Sequence, residues 1–426
     1  MDLQIYPVER LEGVVNAPPS KSYTHRAIIL AGLSRGMVRI YNPLLSADPM
    51  ATIDAMRAAG ARIETTRQNS LRIHGNAGQI EAPELVDVRN SGTTIRIMTS
   101  VFSLCNRKVI LTGDESIQKR PMGPLLEALE EVGVETTSHN GMPPISVKGP
   151  IKGNRIRIRG DVSSQYISGL LMACPLRECD TTVEITTGLR SRPYLDLTLD
   201  IIHDFDVVIE NKGYRQFLIS GGQSYSRGQY FVEGDYSGAA FILAAAAITD
   251  SDVTVKNLYR DSKQGDKYFL EILQRMGADV KISRDNITVR GGQPLRGVDV
   301  DLSQTPDILP VMAVICASAN GRSIIRNVEH ARIKECDRIS AMAQGLRKMG
   351  VKLEEKQDGL VIEGPARLRG ADICGFGDHR IVMALSVAGL KADGPTRITD
   401  AETIGISYPG FLDALKLLGI QYNISP

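Results

Sequence analysis

The chain repeats itself six times, and this constrains its fold more than any other feature. A short signal, in which a glycine or aspartate is followed by a strand-like run, recurs along the sequence. It appears as AAGARIE (58–64), EVGVETT (131–137), DFDVVIE (204–210), RMGADVK (275–281), KMGVKLE (348–354) and LLGIQYN (417–423). The turn position falls at Gly60, Gly133, Asp206, Gly277, Gly350 and Gly419. Each copy closes a helical pattern. Phe269, Ile272, Leu273 and Met276 show the spacing of one buried helix face. Asp48-Pro49 reads as a cap followed by proline at the first helical position. The closing glycine suits a helix C-terminus.

A second repeat runs offset from the first: a small or polar cluster opens a nearly continuous apolar helix. The copies are 20–33, 90–104, 163–176, 235–248, 305–319 and 377–390. Alternating strand-like runs such as MVRIYN, RKVILTG and TTVEITT lie between them. The unit is therefore roughly 71 residues long, with two helices and several short strands, and six units fill the 426 residues. Chance similarity would not keep two signals in step six times. The apolar helix is hydrophobic nearly all round and is expected inside its domain, with the amphipathic helix outside. Free N–H groups and the helix dipole at the polar starts attract anions. Packed three by three, these starts would converge on one surface.

Lys and Arg total 50 against 49 Asp and Glu, for a formal charge of +1. A protein that holds nucleic acid by bulk charge usually has a basic excess, so no nucleic-acid partner is expected. The longest apolar run, Phe241 to Ile248, falls far short of the roughly 20 residues needed to cross a bilayer, and no membrane association is expected. MDLQIYPVER lacks the basic and apolar regions of a signal peptide. The six scattered cysteines read as reduced thiols of a cytoplasmic protein.

The polar clusters are basic where helices begin. Lys21, Ser22 and Arg26 open the first apolar helix, and Gly92, Thr93 and Arg96 the second. Ser163, Ser164 and Gln165 open the third; Asp307 lies in the fifth, and Asp378-His379-Arg380 opens the sixth. Between helices lie Lys119-Arg120, Ser191-Arg192-Pro193-Tyr194 and the run Arg332 to Arg338, which holds Lys334 and Glu335. Arginine offers a planar fork for phosphate or carboxylate, and lysine a point charge. The pattern suits a small substrate with several anionic groups. Each residue alone also has an ordinary reading. Lys21 and Arg26 are compatible with solvated surface charges, Ser163-Ser164 with a helix cap, and Lys334-Glu335 with a charged loop. No G-x-S-x-G elbow accompanies His379, and no phosphate-cradling G-x-x-x-x-G-K-[ST] occurs. No paired metal-ligand motif appears, so a metal-free reaction is expected.

Together these motifs resemble the 5-enolpyruvylshikimate-3-phosphate (EPSP) synthase family. The resemblance rests on PSKSYTHRA (19–27), RNSGTTIR (89–96), KRPMGPL (119–125), DVSSQYISGLL (161–171), LRSRPYLDLT (189–198), VEGDYSGAAF (232–241), TPDILP (305–310), RIKECDR (332–338) and GDHRIVMA (377–384). They occur in the family's order over nearly the whole chain. The resemblance implies a two-domain inside-out α/β barrel, the enolpyruvyl transferase fold, built of six βαβαββ units, three per domain. One domain would hold residues 19–233, the other residues 1–18 and 234–426, with the active site in the cleft between them. The implied reaction moves the enolpyruvyl group of phosphoenolpyruvate to the 5-hydroxyl of shikimate 3-phosphate and releases phosphate, with no cofactor or metal. The implied protein is a cytoplasmic monomer whose partners are small anionic substrates.

The resemblance also implies roles. Asp307 would take the hydroxyl proton, Glu335 would exchange a proton with the methylene carbon, and Lys21 would bridge both ligands. Arg120, Arg338 and Arg380 would clamp phosphoenolpyruvate, with Gly92 and Gln165 beside it. Ser22, Arg26, Ser163, Ser164, Ser191, Tyr194 and Lys334 would hold shikimate 3-phosphate. Two positions depart from the family pattern. His330 stands where many members have Asn. Ile406, in GISYPGF (405–411), stands where many have a lysine that contacts phosphoenolpyruvate. Loss of that cation is expected to weaken phosphoenolpyruvate binding by about 1–3 kcal/mol unless another cation replaces it. Two rivals share parts of the pattern. UDP-N-acetylglucosamine enolpyruvyl transferase has the fold and chemistry but typically a loop Cys, absent from ESIQKRPMGPLL (115–126). A six-unit DNA clamp would spread its basic residues over an inner surface and would not need Asp307 and Glu335 beside clustered arginines.

Overall fold

The computed structural model describes residues 1–67 and 69–426. The chain divides into two compact units. The first is Pro19–Val232; the second combines Met1–Pro18 with Glu233–Pro426. Each has its own hydrophobic core, with no residue shared between the two.

Among the described residues there are twelve α-helices, and their roles alternate along the chain. The first unit holds α1 (Lys21–Leu33), α2 (Ala47–Ala58), α3 (Gly92–Phe102), α4 (Gly123–Glu130), α5 (Ser164–Ala173) and α6 (Arg192–Asp204). The second holds α7 (Tyr236–Ile248), α8 (Tyr268–Arg275), α9 (Leu309–Ser318), α10 (Arg338–Lys348), α11 (His379–Gly389) and α12 (Phe411–Leu417). The odd-numbered helices are the apolar segments of the second repeat. Every residue of α7 and α11 is buried, as an all-round apolar helix requires. The even-numbered helices bury one face: in α8 that face is Phe269, Leu270, Ile272 and Leu273. In the second unit α7, α9 and α11 pack on one another. In the first unit α3 runs along α5, and Gly169 permits the close approach: a Cβ there would lie 3.1 Å from the Cα of Ile97.

The six turn positions all take the left-handed conformation just after an even-numbered helix. Their φ angles are 94°, 87°, 62°, 95°, 90° and 86° at Gly60, Gly133, Asp206, Gly277, Gly350 and Gly419. A Cβ is costly there, which explains glycine at five of the six. Aspartate is among the few other residues that visit this region readily.

Strand pairing repeats as well. Among the described residues there are six four-stranded sheets, three in each unit, with one topology. In one of them Leu85–Asp87 runs parallel to Val109–Thr112, which pairs antiparallel with Met142–Lys148, which pairs antiparallel with Glu135–His139. With α3 and α4 this is a βαβαββ unit. Three strands sit out of sequential order. Gln229–Phe231 completes the sheet of Met37–Tyr41 as its parallel edge, and Arg10–Asn16 does the same for Asp250–Lys256. Asp2–Ile5 lies between Thr396–Ile398 and Tyr422–Ser425, so the start of the chain completes its last unit. Leu3 and Ile5 are fully buried by that pairing.

Contrary to the expectation from sequence, Asp48 does not cap α2. Helix α2 begins at Ala47 with Ser46 at the cap position, and Asp48 falls inside the first turn. Its carboxylate accepts from Lys21 Nζ at 3.2 Å. Proline at the third helical position is tolerated because the first-turn N–H groups have no partner within the helix.

Candidate active site

In the first unit the expected ligands cluster at the starts of α1, α3, α5 and α6. Ser20 caps α1 by accepting from the Tyr23 amide. This leaves Lys21 at the first helical position, where its ammonium pairs with the buried Asp48. Arg26, one turn further on, is 1% exposed. Its Nε donates to Thr198 Oγ1 at 2.8 Å, Nη1 to the Ser22 carbonyl at 3.0 Å, and Nη2 to Ser168 Oγ at 3.3 Å and the Tyr194 carbonyl at 3.5 Å. Burial lowers its pKa to about 10, so it stays charged at neutral pH. Arg26 is thus no surface charge. It ties α1 to α5 and α6, and it holds the backbone of two expected ligands, Ser22 and Tyr194.

Ser163 caps α5, accepting from the Gln165 amide at 3.3 Å, and Ser164 is buried beside it. The cap reading of Ser163 therefore holds together with its place in the cluster. Gln165 joins two helix starts, accepting from Arg96 Nη1 at 2.7 Å and donating to Thr93 Oγ1 at 2.8 Å. Arg96 also lies over the Tyr166 ring. Ser191 precedes α6 in the left-handed conformation, at φ 56° and ψ 41°. For a residue with a Cβ this is a strained turn, of the kind that collects at functional sites. Its carbonyl accepts from the Tyr194 amide at 3.2 Å.

Gly92 opens α3, next to the cap Ser91. A Cβ at Gly92 would come within 2.5 Å of Arg120 Nη1 and 3.5 Å of Arg96 Nη1. Arg120 is buried and donates to Ser116 Oγ at 3.2 Å. The missing side chain at Gly92 therefore makes room for two guanidiniums. Behind it a buried chain of polar groups fixes the helix start. His25 Nδ1, Thr52 Oγ1, Thr94 Oγ1 and Ser91 Oγ are linked in succession at 2.6 Å each. Burial, with Lys21 and Arg26 adding, holds His25 well below its ordinary pKa and hence neutral.

In the second unit one guanidinium gathers the acidic residues. Arg338, the first residue of α10, is 1% exposed. Its Nη1 meets Asp307 Oδ1 at 2.9 Å, its Nη2 meets Glu335 Oε2 at 2.7 Å, and its Nε meets Asp378 Oδ2 at 2.8 Å. Asp378 is fully buried and also caps α11, accepting from the Arg380 amide at 2.9 Å. Asp307 sits in a 3-10 turn, Pro306–Ile308, just before α9. Besides Arg338 it meets Arg380 Nη2 at 3.2 Å and Lys334 Nζ at 3.7 Å. Burial alone would raise its pKa. Arg380, Lys334 and Arg338 outweigh burial and hold the carboxyl well below the usual range. Ile406 ends a 3-10 turn, Ala401–Ile406, and is half-buried.

The two clusters differ in charge. In the first unit Lys21, Arg26, Arg96 and Arg120 gather near helix starts, and Lys21 pairs with the carboxylate of Asp48. In the second unit Lys334, Arg338 and Arg380 interlock with Asp307, Glu335 and Asp378. The first arrangement suits phosphate binding; the second suits moving protons near fixed positive charge. Asp48, Asp378 and Arg96 were not singled out as ligands from sequence. Arg96 carried the signal of a basic residue one turn into an apolar helix, and Asp378 that of a helix cap. Among the described residues no three of His, Cys, Asp or Glu are grouped so as to hold a metal ion.

The family model for EPSP synthase (3-phosphoshikimate 1-carboxyvinyltransferase) matches residues 5–415. The chain belongs to the EPSP synthase family. It is 46% identical to the 3-phosphoshikimate 1-carboxyvinyltransferase of Methanocaldococcus jannaschii over 99% of both chains. It is 48% identical to that of Methanocella arvoryzae over 97% of both. The EPSP synthase of Acinetobacter baumannii superposes with a TM-score of 0.85 at 28% identity, covering 100% of each chain. The enolpyruvyl transferase NikO of Streptomyces tendae, at 19% identity and a TM-score of 0.79 over 100% of this chain and 99% of its own, shares the fold. The two-domain enolpyruvyl transferase fold expected from sequence is the fold observed.

For an EPSP synthase the contact at Gly92 has a testable consequence. In Gly92→Ala the new methyl must push the Arg120 guanidinium aside. The KM for phosphoenolpyruvate is expected to rise roughly 10-fold or more, since displacements near 1 Å are costly in a positioned site. Steady-state kinetics with phosphoenolpyruvate varied would check this. An unchanged KM would count against the expected place of Arg120 beside phosphoenolpyruvate.

Proposed function

We propose that the cationic cluster of the first unit and the guanidinium–carboxylate cluster of the second act together on one pair of anionic substrates. The reaction is the family's: the enolpyruvyl group of phosphoenolpyruvate passes to the 5-hydroxyl of shikimate 3-phosphate, and phosphate leaves. In this reading Lys21, Ser22, Ser163, Ser164, Ser191, Tyr194 and Lys334 hold shikimate 3-phosphate. Arg26 acts through the Ser22 and Tyr194 carbonyls. Arg120, Arg338 and Arg380 take the anionic oxygens of phosphoenolpyruvate, with Gly92 and Gln165 beside them.

Asp307 removes the 5-hydroxyl proton as the oxygen attacks C2 of phosphoenolpyruvate. Glu335 delivers a proton to the methylene carbon, which becomes a methyl group in a tetrahedral intermediate. The bond from C2 to the phosphate oxygen then breaks, a methyl proton leaves, and the double bond re-forms. Asp307 is a weak base while Arg338, Arg380 and Lys334 hold it low. Phosphoenolpyruvate brings negative charge to two of those cations, and this raises the proton affinity of Asp307 when the second substrate is in place. The observation that carries the reading is Arg338, which holds the expected base and the expected acid on one buried group. The same reading makes the chain a cytoplasmic monomer; among the described residues no helix is long and apolar enough to cross a membrane.

Running the reaction in D2O tests the chemistry. Protonation at carbon places solvent deuterium in the methylene group of the product, visible by NMR. A product free of deuterium would overturn addition and elimination.

A further inference from the structure

One buried carboxyl that feels the charge of Asp307 has no part in the proton transfers. Asp266 sits in a 3-10 turn, Gly265–Lys267, before α8, and is 3% exposed. That turn and the turn holding Asp307 both pack against α7. The Ser237 hydroxyl, in the first turn of α7, donates to Asp266 Oδ2. Asp266 Oδ1 is buried and accepts no hydrogen bond from any described residue. A carboxylate left half-satisfied in a buried place is costly, so it holds a proton more readily than an exposed one.

From the start of α7 come Asp235, whose carboxylate caps the helix at the Gly238 amide, and Ser237. From the 3-10 turn before α9 comes Asp307, and from α11 comes Arg380. Lys267, the next residue, donates to the carbonyls of Arg260 and Ser262 at 2.9 Å each. Glu233 accepts from Gln264 and Ser262. Burial first, then Asp307 and Asp235, raise the pKa of Asp266, while Ser237 and Arg380 lower it; the balance is about 7.

We propose that Asp266 is a positioning residue for Asp307, sharing the field of Arg380 with it and tuning how readily Asp307 takes the substrate proton. This rests on the reading of Asp307 as proton acceptor. The direction follows from the charges. With Asp266 neutral, Arg380 acts on Asp307 undiluted and keeps it a weak base. With Asp266 ionised, a second negative charge offsets Arg380 and repels Asp307, so its proton affinity rises. Activity therefore climbs with pH as Asp266 ionises, and the acidic limb of the kcat profile belongs to the coupled pair.

The test is the pH profile of kcat in the full chain at saturating substrates. Asp266→Asn is a permanent mimic of the neutral form. It is expected to flatten the acidic limb near neutral pH and to lower kcat above it by about 3- to 10-fold, since the rate follows the strength of the base. Ser237→Ala removes the donor that favours the carboxylate, and it moves the limb to higher pH by about half a unit to one unit. This small change decides the matter if Asp266→Asn does not fold. Asp307→Asn separates the two claims. Full activity in Asp307→Asn overturns the proton-acceptor reading itself. An inactive Asp307→Asn beside an Asp266→Asn with the wild-type limb overturns the role of Asp266 alone. A limb that stays in place in Ser237→Ala does the same.

Discussion

Asp307→Asn is expected to lower kcat by roughly 10²- to 10⁴-fold, the usual contribution of a positioned general base. The amide keeps the shape of the carboxyl, so the 3-10 turn and α9 are retained. What is lost is the proposed proton acceptor and one anion among three cations. Lys334, Arg338 and Arg380 then share fewer negative partners, and stability falls by about 1–3 kcal/mol. The pH dependence has a definite sign. The folded-state pKa of Asp307 lies below the unfolded value of about 3.9. Its contribution is therefore fully present above pH ~4 and is lost as pH falls further. The Asn variant lacks this part of the acid-unfolding slope. Steady-state kinetics and urea unfolding between about pH 3 and 7 read both effects.

The second large effect is at Arg338. Arg338→Met replaces a long side chain by another but leaves Asp307, Glu335 and Asp378 without their common partner. Removing one member of a buried ionic network typically costs about 3–5 kcal/mol, because the remaining charges stay buried. Asp378 caps α11, so the loss spreads to a central helix. Arg338→Lys is expected to rescue little, since one ammonium cannot reach three carboxylates as a planar fork does. Urea unfolding followed by circular dichroism gives the cost. Arg290, 54% exposed and paired with Asp252, is the control: its alanine variant should lose under about 1 kcal/mol. Equal losses at the two sites would mean that the Arg338 network contributes no more than a surface pair.

The sixfold unit was legible because two physical rules mark it. A helix that ends in a left-handed residue needs glycine or a tolerant substitute, and a helix buried all round must be apolar all round. Gly60 through Gly419 and the α7 and α11 segments follow these rules so closely that the period shows without any structure. Strand exchange was not legible. The alternation in Arg10–Asn16 says that one face is buried, but not that its parallel neighbour is Asp250–Lys256, more than two hundred residues away. The site divides in the same way. Lys21 and Gly92 stood out at helix starts, Asp307 within the fifth apolar segment, and Arg120, Glu335 and Arg338 in charged runs between helices. Arg26 looked like a candidate surface charge because its partners, Ser168 and Thr198, lie 142 and 172 residues along the chain. Asp48 was read as a cap because local sequence favours a cap, whereas Lys21 engages its carboxylate. Asp266 gave no signal, since burial of a carboxyl is decided by which turns pack against α7.

Phosphate release from phosphoenolpyruvate, with shikimate 3-phosphate or UDP-N-acetylglucosamine as acceptor, is the decisive assay. The cationic cluster and the Arg338 network predict release with shikimate 3-phosphate only. Release with UDP-N-acetylglucosamine alone, or with neither acceptor, would contradict the account.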